Sequence, residues 1–206
     1  MANKLTGYAL VNLKDLIENV GEDRAKEILS AFSCPQNKDV EDFLRFKARE
    51  FSRQGIAQTH LVFTSFQELP VLIGYFTLAN KTIVLPKKNL STKWCARAKR
   101  FSVGYNIDGA FWIPAPLIAQ LGKNFTNGYN DLITGDELLK LALDRVREAQ
   151  AMLGGKFVYL ECEDKDKLVS FYEENGFVEF GKRSLERDER DTQTGEYLIQ
   201  LLKYLD

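Results

Sequence analysis

The 206-residue chain is poor in the residues that cross-link or chelate. It has three cysteines, Cys34, Cys95 and Cys162, and a single histidine, His60. The cysteines stand more than sixty residues apart with no C-x-x-C pair, so neither a disulfide framework nor a zinc site is expected. No apolar run approaches the ~18 residues of a membrane span, and Met1 to Tyr8 hold no basic cap ahead of an apolar stretch. Export is therefore not expected, and the cytoplasm is the expected location. Neither sign of charge dominates: 28 Lys and Arg stand against 29 Asp and Glu, a net charge of −1. That balance excludes a wholly basic nucleic-acid binder, and any such role must be local. There is no internal repeat or low-complexity tract. What the chain does have is ordinary globular composition, 45% hydrophobic and 28% charged. Its length favours one compact domain over residues 1–206, with elaborations.

Periodicity predicts a strand at Tyr8 to Leu13, then helical segments over Lys14 to Leu29 interrupted near Gly21. After a pause at Cys34-Pro35, Val40, Phe43, Leu44, Ala48 and Phe51 recur at three and four. They predict a surface helix over Asp39 to Arg53, with Gly55 as its cap. Ile56 to Thr64 and Pro70 to Ala79 read as an antiparallel hairpin joined by Ser65 to Leu69. Phe111 to Gly122 is a further strand whose paired part starts at about Leu117, because Pro114 and Pro116 cannot donate to a ladder.

Thr134 to Leu153 is the strongest helix, with Leu138, Leu139, Ala142, Val146, Ala149 and Met152 on one side and Gly154-Gly155 ending it. Lys156 to Cys162 is a buried strand and Asp166 to Asn175 a short helix stopped by Gly176. Phe177 to Phe180 and Tyr197 to Tyr204 are the last strands, separated by a charged connection. Between Pro86 and Ile107 the pattern dissolves into an insertion or functional loop. There Lys87, Lys88, Lys93, Arg97, Lys99 and Arg100 interleave with Trp94, Phe101 and Tyr105, and no acid is present. The element order predicts an α+β (mixed α/β) fold with a largely antiparallel sheet and one βαβ crossover.

The stretch KFVYLECEDKDKLVSFYEENGFVEFG, Lys156 to Gly181, resembles the part of the GNAT N-acetyltransferase superfamily where a short helix reads F-Y-x-x-x-G-F. Here that motif is Phe171-Tyr172-Glu173-Glu174-Asn175-Gly176-Phe177. Upstream, FSCPQNKDVEDFLRFKAREFSRQGIAQTHLVF and the following VLIGYFTL look like the first half of a narrower branch. That branch contains acetyltransferase toxins of toxin–antitoxin modules, which acetylate the amino acid on aminoacyl-tRNA. The resemblance covers most of Ala31 to Gly181. It implies a GNAT-like, mostly antiparallel central sheet with helices on both faces, and acetyl-CoA as co-substrate between two splayed parallel strands. Pantetheine would pair with the backbone of Ala119, Gln120 and Leu121. The pyrophosphate would meet Asn130, Ile133, Thr134, Gly135 and Asp136, and Tyr172 would be the general acid.

The phosphate loop departs from that family. Most members have R/Q-x-x-G-x-G/A, whose backbone N–H groups face the pyrophosphate at a helix N-terminus. Here the run is Asn130-Asp131-Leu132-Ile133-Thr134-Gly135 and only the last glycine survives, while Asp131, Asp136 and Glu137 add negative charge. Thr134 and Glu137 equally form a T-x-x-E capping box that needs no ligand. Tyr172 can protonate a departing thiolate, since a phenol is protonated at neutral pH, or it can complete a helix stripe after Leu168 beside Phe171. Glu161 and Glu163 are candidate bases, although acids at strand ends are usually solvated and water can take the proton.

His60 reads as a packed or edge histidine and Cys162 as a small buried hydrophobe, and nothing near Cys34 would lower its pKa. The basic segment is either an RNA-contacting surface or a solvated loop with a few aromatic anchors. Three functions follow: an acetyl-CoA-dependent N-acetyltransferase, a catalytically decayed acyl-CoA-binding or interaction module, and an aminoacyl-tRNA-acetylating toxin. The acceptor would be a small amine, a peptide amine or an aminoacyl-tRNA. A homodimer and an antitoxin are the further partners that the resemblance implies; no membrane partner and no metal are expected.

Overall fold

The side chain of Asn12 ends the first strand and starts the first helix, its Oδ1 accepting the Lys14 N–H at 2.8 Å. In the computed structural model, which describes residues 7–103, 109–185 and 195–206, β1 (Tyr8–Asn12) therefore runs directly into α1 (Leu13–Val20). Gly21, at φ +83°, separates α1 from α2 (Glu22–Ser30), as expected. Asn37 caps α3 (Lys38–Asp42) by accepting the Val40 N–H at 3.1 Å. The single helix expected over Asp39 to Arg53 is instead α3, a π-helical stretch at Phe43–Lys47 and α4 (Ala48–Arg53). The wider π turn keeps Phe43, Leu44 and Ala48 buried while Phe46 faces solvent. A three-and-four spacing looks the same with or without such a turn.

β2 (Gln58–Phe66) and β3 (Leu69–Pro86) form the expected antiparallel hairpin. It closes over only two residues, Gln67 and Glu68, both at positive φ (49° and 65°). That is the turn type which matches the twist of the strands, here without its usual glycine. β3 continues past Ala79 because Ile83 and Leu85 stay buried on alternate positions.

The segment expected to lack pattern is ordered: a 3₁₀ turn at Lys87–Asn89 leads into α5 (Thr92–Phe101), capped by Ser91 Oγ. Its apolar stripe of Trp94, Ala98 and Phe101 is short and hidden among cations, which is why periodicity alone passes over it. Tyr105 and Ile107, counted in that segment, lie outside the described residues, as does the charged connection at 186–194.

β4 (Ala110–Lys123) begins ahead of both prolines, yet its parallel pairing with β5 (Phe157–Glu163) starts where they end, at Leu117↔Tyr159 and Ile118↔Leu160. α6 (Gly135–Leu153) makes the crossover between them. Leu138, Leu139, Ala142 and Val146 are buried as expected, but Met152, assigned to the same side, is 80% exposed in the last turn. α7 (Asp166–Glu174) is followed by β6 (Val178–Ser184), longer than the four residues expected, and β7 (Tyr197–Tyr204). The seven-stranded sheet has the order β1-β2-β3-β4-β5-β7-β6. It is antiparallel at β1–β2, β2–β3, β5–β7 and β6–β7.

The described residues fall into two compact units, one lying within Met1–Ala79 and Ala119–Leu143, the other within Asn80–Ile118, Asp144–Arg190 and Thr194–Asp206. The first packs Leu13, Leu29, Phe32, Leu44, Leu61 and Tyr75 into one core, with Phe32 edge-on to Tyr75 at 5.1 Å. The second is built around Phe157, which meets Phe101 at 5.7 Å and Tyr204 at 5.3 Å. Edge-on ring pairs of this kind contribute about 0.5–1.5 kcal/mol each beyond their buried area.

Candidate active site

Tyr172 is the one buried residue of α7 and is 7% exposed. It is held at both ends. Its ring stands edge-on to Phe171 at 5.0 Å and to Phe177 at 5.9 Å, and its carbonyl accepts the Phe177 N–H at 3.0 Å. That last bond exists because Gly176, at φ +78°, turns the chain back at the helix end. Burial pushes the phenol well above its ordinary pKa, and Cys162 adds to the effect. The hydroxyl makes no hydrogen bond among the described residues. The side chain is thus a protonated phenol with its donor uncommitted, in apolar surroundings.

Cys162 on β5 is buried, and its thiol is pushed up to about 12 by burial and by Asp164, Glu163 and Glu179. It packs as expected and is no nucleophile. The two candidate bases on the same strand are neither solvated nor free. Glu161 is bound through Oε2 by Arg183 Nη2 at 2.7 Å and through Oε1 by Gln200 Nε2 at 2.7 Å. Glu163 is buried and pairs with Lys165 at 2.7 Å. Cross-strand partners on β6 and β7 consume Glu161, and no sequence pattern identifies partners so distant in the chain.

In the other unit, the residues assigned to pantetheine and pyrophosphate occupy the end of β4 and the turn before α6. Ala119, Gln120 and Leu121 are half-buried, and Gln120 Nε2 donates to Asp39 Oδ2 at 2.8 Å. Close by, Gly122 has no room for a side chain: a Cβ would overlap Val40 Cγ1 and lie 3.5 Å from Phe32 Cζ. The turn is a 3₁₀ stretch, Thr126–Leu132, with Asn127 and Gly128 at positive φ. Lys123, which sequence reasoning missed, reaches across to the Asn130 carbonyl at 3.0 Å and sets a cation at this turn. The Asn130 side chain donates to Asp131 at 2.7 Å, Tyr8 donates to the Leu132 carbonyl at 3.2 Å, and Ile133 is buried.

At the start of α6 the capping box is formed in full. Glu137 Oε2 accepts the Thr134 N–H at 2.8 Å, and Thr134 Oγ1 accepts the Glu137 N–H at 3.1 Å. The Thr134 N–H and hydroxyl, both donating to this carboxylate, hold it below its ordinary pKa. The Gly135 N–H stands in the first turn, where a helix supplies it no acceptor of its own. One amide of the expected phosphate cradle is therefore occupied by a carboxylate, and the other first-turn amides are those that any α-helix leaves without an intrahelical acceptor.

The remaining candidates fall away from this chemistry. His60 is half-buried and stacks on Phe76 at 5.1 Å and 24°. Burial raises the Cys34 pKa, and all three cysteines are free. Among the described residues no group of three His, Cys, Asp or Glu is placed to hold a metal ion. No described helix is long and apolar enough to cross a membrane.

No protein-family model matches the chain, and comparison with curated proteins gives no match. Solved structures do match. The chain is similar to AtaT complexed with acetyl-methionyl-tRNAfMet, with TM-score 0.61, 18% identity and 93% of each chain covered. It is similar to a tyrosine-to-phenylalanine mutant of KacT, with TM-score 0.62, 14% identity, and 95% of this chain and 94% of that one covered. AtaTR bound with AcCoA matches with TM-score 0.56, 16% identity, and 97% and 94% covered. The likeness is one of fold, and the fold is the GNAT-like mixed α/β architecture expected from Phe171 to Phe177 and from the order of elements.

Proposed function

We propose that the protein is an acetyl-CoA-dependent N-acetyltransferase that transfers the acetyl group to an amine by direct attack, with Tyr172 as general acid. The observation that carries this reading is the state of Tyr172: a buried, protonated phenol with no described partner on its hydroxyl, at the motif position of a GNAT-like fold. The acceptor nitrogen, deprotonated by water, forms the new C–N bond with the thioester carbonyl. As the C–S bond breaks, its electron pair leaves on sulfur, and Tyr172 delivers its proton there and regains one from solvent. A raised phenol pKa keeps that proton in place across the neutral range.

The first turn of α6 is where the pyrophosphate of acetyl-CoA fits, through the backbone of Thr134, Gly135 and Asp136, with Asn130, Ile133 and the Lys123 ammonium alongside. Ala119, Gln120 and Leu121 are assigned to the pantetheine. The similar AtaT is complexed with an acetylated aminoacyl-tRNA, and another AtaT structure holds the C-terminus of the antitoxin AtaR and acetyl-CoA. These support aminoacyl-tRNA as the acceptor, an antitoxin as a partner, and the cytoplasm as the place of action. A second reading, acyl-CoA binding without turnover, draws support from the Thr134 N–H being held by Glu137.

Isothermal titration with acetyl-CoA, followed by transfer assays on methionyl-tRNA, a lysine peptide and a small polyamine, separates the readings. Micromolar binding with transfer that Tyr172→Phe abolishes supports the proposal. Binding with no transfer to any amine selects the second reading, and no binding overturns both.

A further inference from the structure

The 39 residues from Leu69 to Ile107 contain seven Lys and Arg and no Asp or Glu. The rest of the chain then holds 21 Lys and Arg against 29 Asp and Glu, a balance of −8 hidden by the near-neutral total. Folding concentrates the positive end. On α5 the apolar positions Trp94, Ala98 and Phe101 belong to the core around Phe157, whereas Thr92, Lys93, Ala96, Lys99 and Arg100 are exposed along one face. Lys88, in the turn just before the helix, is exposed too. Arg97 is the exception: it lies over the Tyr204 ring at 4.2 Å and reaches Asp206 at 3.8 Å.

We infer that the exposed face of α5, with Lys88, Lys93, Lys99 and Arg100, is a docking surface for the phosphate backbone of helical RNA. Three features select this ligand. A surface for single strands needs rings on which bases stack, but the described rings of this segment, Trp94 and Phe101, are half-buried against the core, Trp94 at 6.0 Å from Phe157. A helix that lies on a membrane inserts large apolar side chains, and the exposed positions of α5 offer none larger than Ala96. What remains is a cluster of cations on one side, Lys93 and Arg100 two helical turns apart on α5 with Lys99 beside Arg100 and Lys88 in the preceding turn, able to meet a rigid line of phosphates without reading bases. The choice of RNA among polyanions rests on the transferase reading above, and the surface would hold the stem of a charged tRNA. The charge asymmetry would also orient the approach, drawing the polyanion to this face.

The test uses the full chain, a fluorescent 12-base-pair RNA duplex, a 12-nucleotide oligouridylate, and vesicles of phosphatidylcholine with one-third phosphatidylserine. The variant is Lys88→Gln/Lys93→Gln/Arg100→Gln, with Lys26→Gln on α2 as control. Wild type should bind the duplex more tightly than the single strand and should not bind vesicles. The triple variant should lose at least about tenfold in duplex affinity at 0.1 M salt, and its salt slope should fall by about 3, one per cation; Lys26→Gln should change neither. Equal duplex affinity of variant and wild type, preference for the single strand, or vesicle binding that the variant loses would each overturn the inference. Acetyl-CoA titration of the same samples separates the two proposals. Intact acetyl-CoA binding with unchanged duplex affinity sinks the docking surface alone, and absent acetyl-CoA binding in wild type sinks the transferase.

Discussion

Glu137 and Thr134 hold each other reciprocally at the start of α6: Oε2 of Glu137 accepts both the N–H and the hydroxyl of Thr134, at 2.8 and 2.9 Å. The same amide is one that a bound pyrophosphate would seek, so the cap and the ligand compete for it. Because the cap lowers the Glu137 pKa, its contribution is present above the ordinary glutamate range and is lost as pH falls through the lower folded value. Thr134→Ala should lower stability by about 1 kcal/mol in urea unfolding. Glu137→Gln, which removes a negative charge from the helix N-terminus, should tighten acetyl-CoA binding by roughly two- to fivefold. An unchanged Kd would place the pyrophosphate elsewhere.

Tyr172→Phe deletes an O–H that no described group binds, so the fold should tolerate it. Turnover should fall by about 10²-fold or more with KM for acetyl-CoA unchanged. Since burial raises the phenol pKa, the wild-type rate should show no loss below pH 10 from deprotonation of Tyr172. A decline in that range that persists in Tyr172→Phe belongs to another group, and full activity in the variant removes the assignment.

Stability should decline on the alkaline side. The Cys162 thiol has a folded pKa of about 12 against an ordinary 9.0, so its neutral form favours the folded state below pH 9. That stabilisation is lost progressively as pH rises from 9 through 12. Thermal unfolding between pH 8 and 10 should show a falling Tm in wild type and a shallower slope in Cys162→Ala, whatever the absolute Tm of the variant. Parallel slopes would mean that the thiol is not shielded.

Gly122 sits where a methyl would strike Val40 Cγ1 with Phe32 and Tyr75 close behind. Gly122→Ala should cost about 1–3 kcal/mol by overpacking, and Val40→Ala in the same chain should restore part of it. A double-mutant cycle from urea unfolding measures the coupling. Strict additivity would contradict the contact.

Buried Asn124 stitches three chain segments together. Its Oδ1 accepts the Ser33 and Thr126 N–H groups at 3.0 and 3.1 Å, and its Nδ2 donates to the Leu72 carbonyl at 2.8 Å. Asn124→Ala strands these backbone groups and should cost more than about 2 kcal/mol in the same assay; Asn124→Asp, which keeps the acceptor, should cost less. Equal losses would mean that the acceptor bonds carry no weight.

By itself the sequence determined whatever depends on neighbours in the chain. Apolar spacing located α6, and Gly154-Gly155 ended it; Gly21 split α1 from α2; Thr134 and Glu137, three residues apart, announced their own cap. The Phe171 to Phe177 motif and the order of elements announced the fold. Tertiary structure decided the rest, because burial and pairing join residues far apart in sequence. It turned the Thr92 to Phe101 part of the apparent loop into a helix by giving Trp94 and Phe101 a core to pack against. It occupied Glu161 through Arg183 and Gln200, partners 22 and 39 residues away. It also buried Tyr172, and burial is what raises its pKa: a tyrosine after a phenylalanine is legible in the chain, but the dielectric around it exists only once Phe171, Phe177 and Cys162 have closed over the ring.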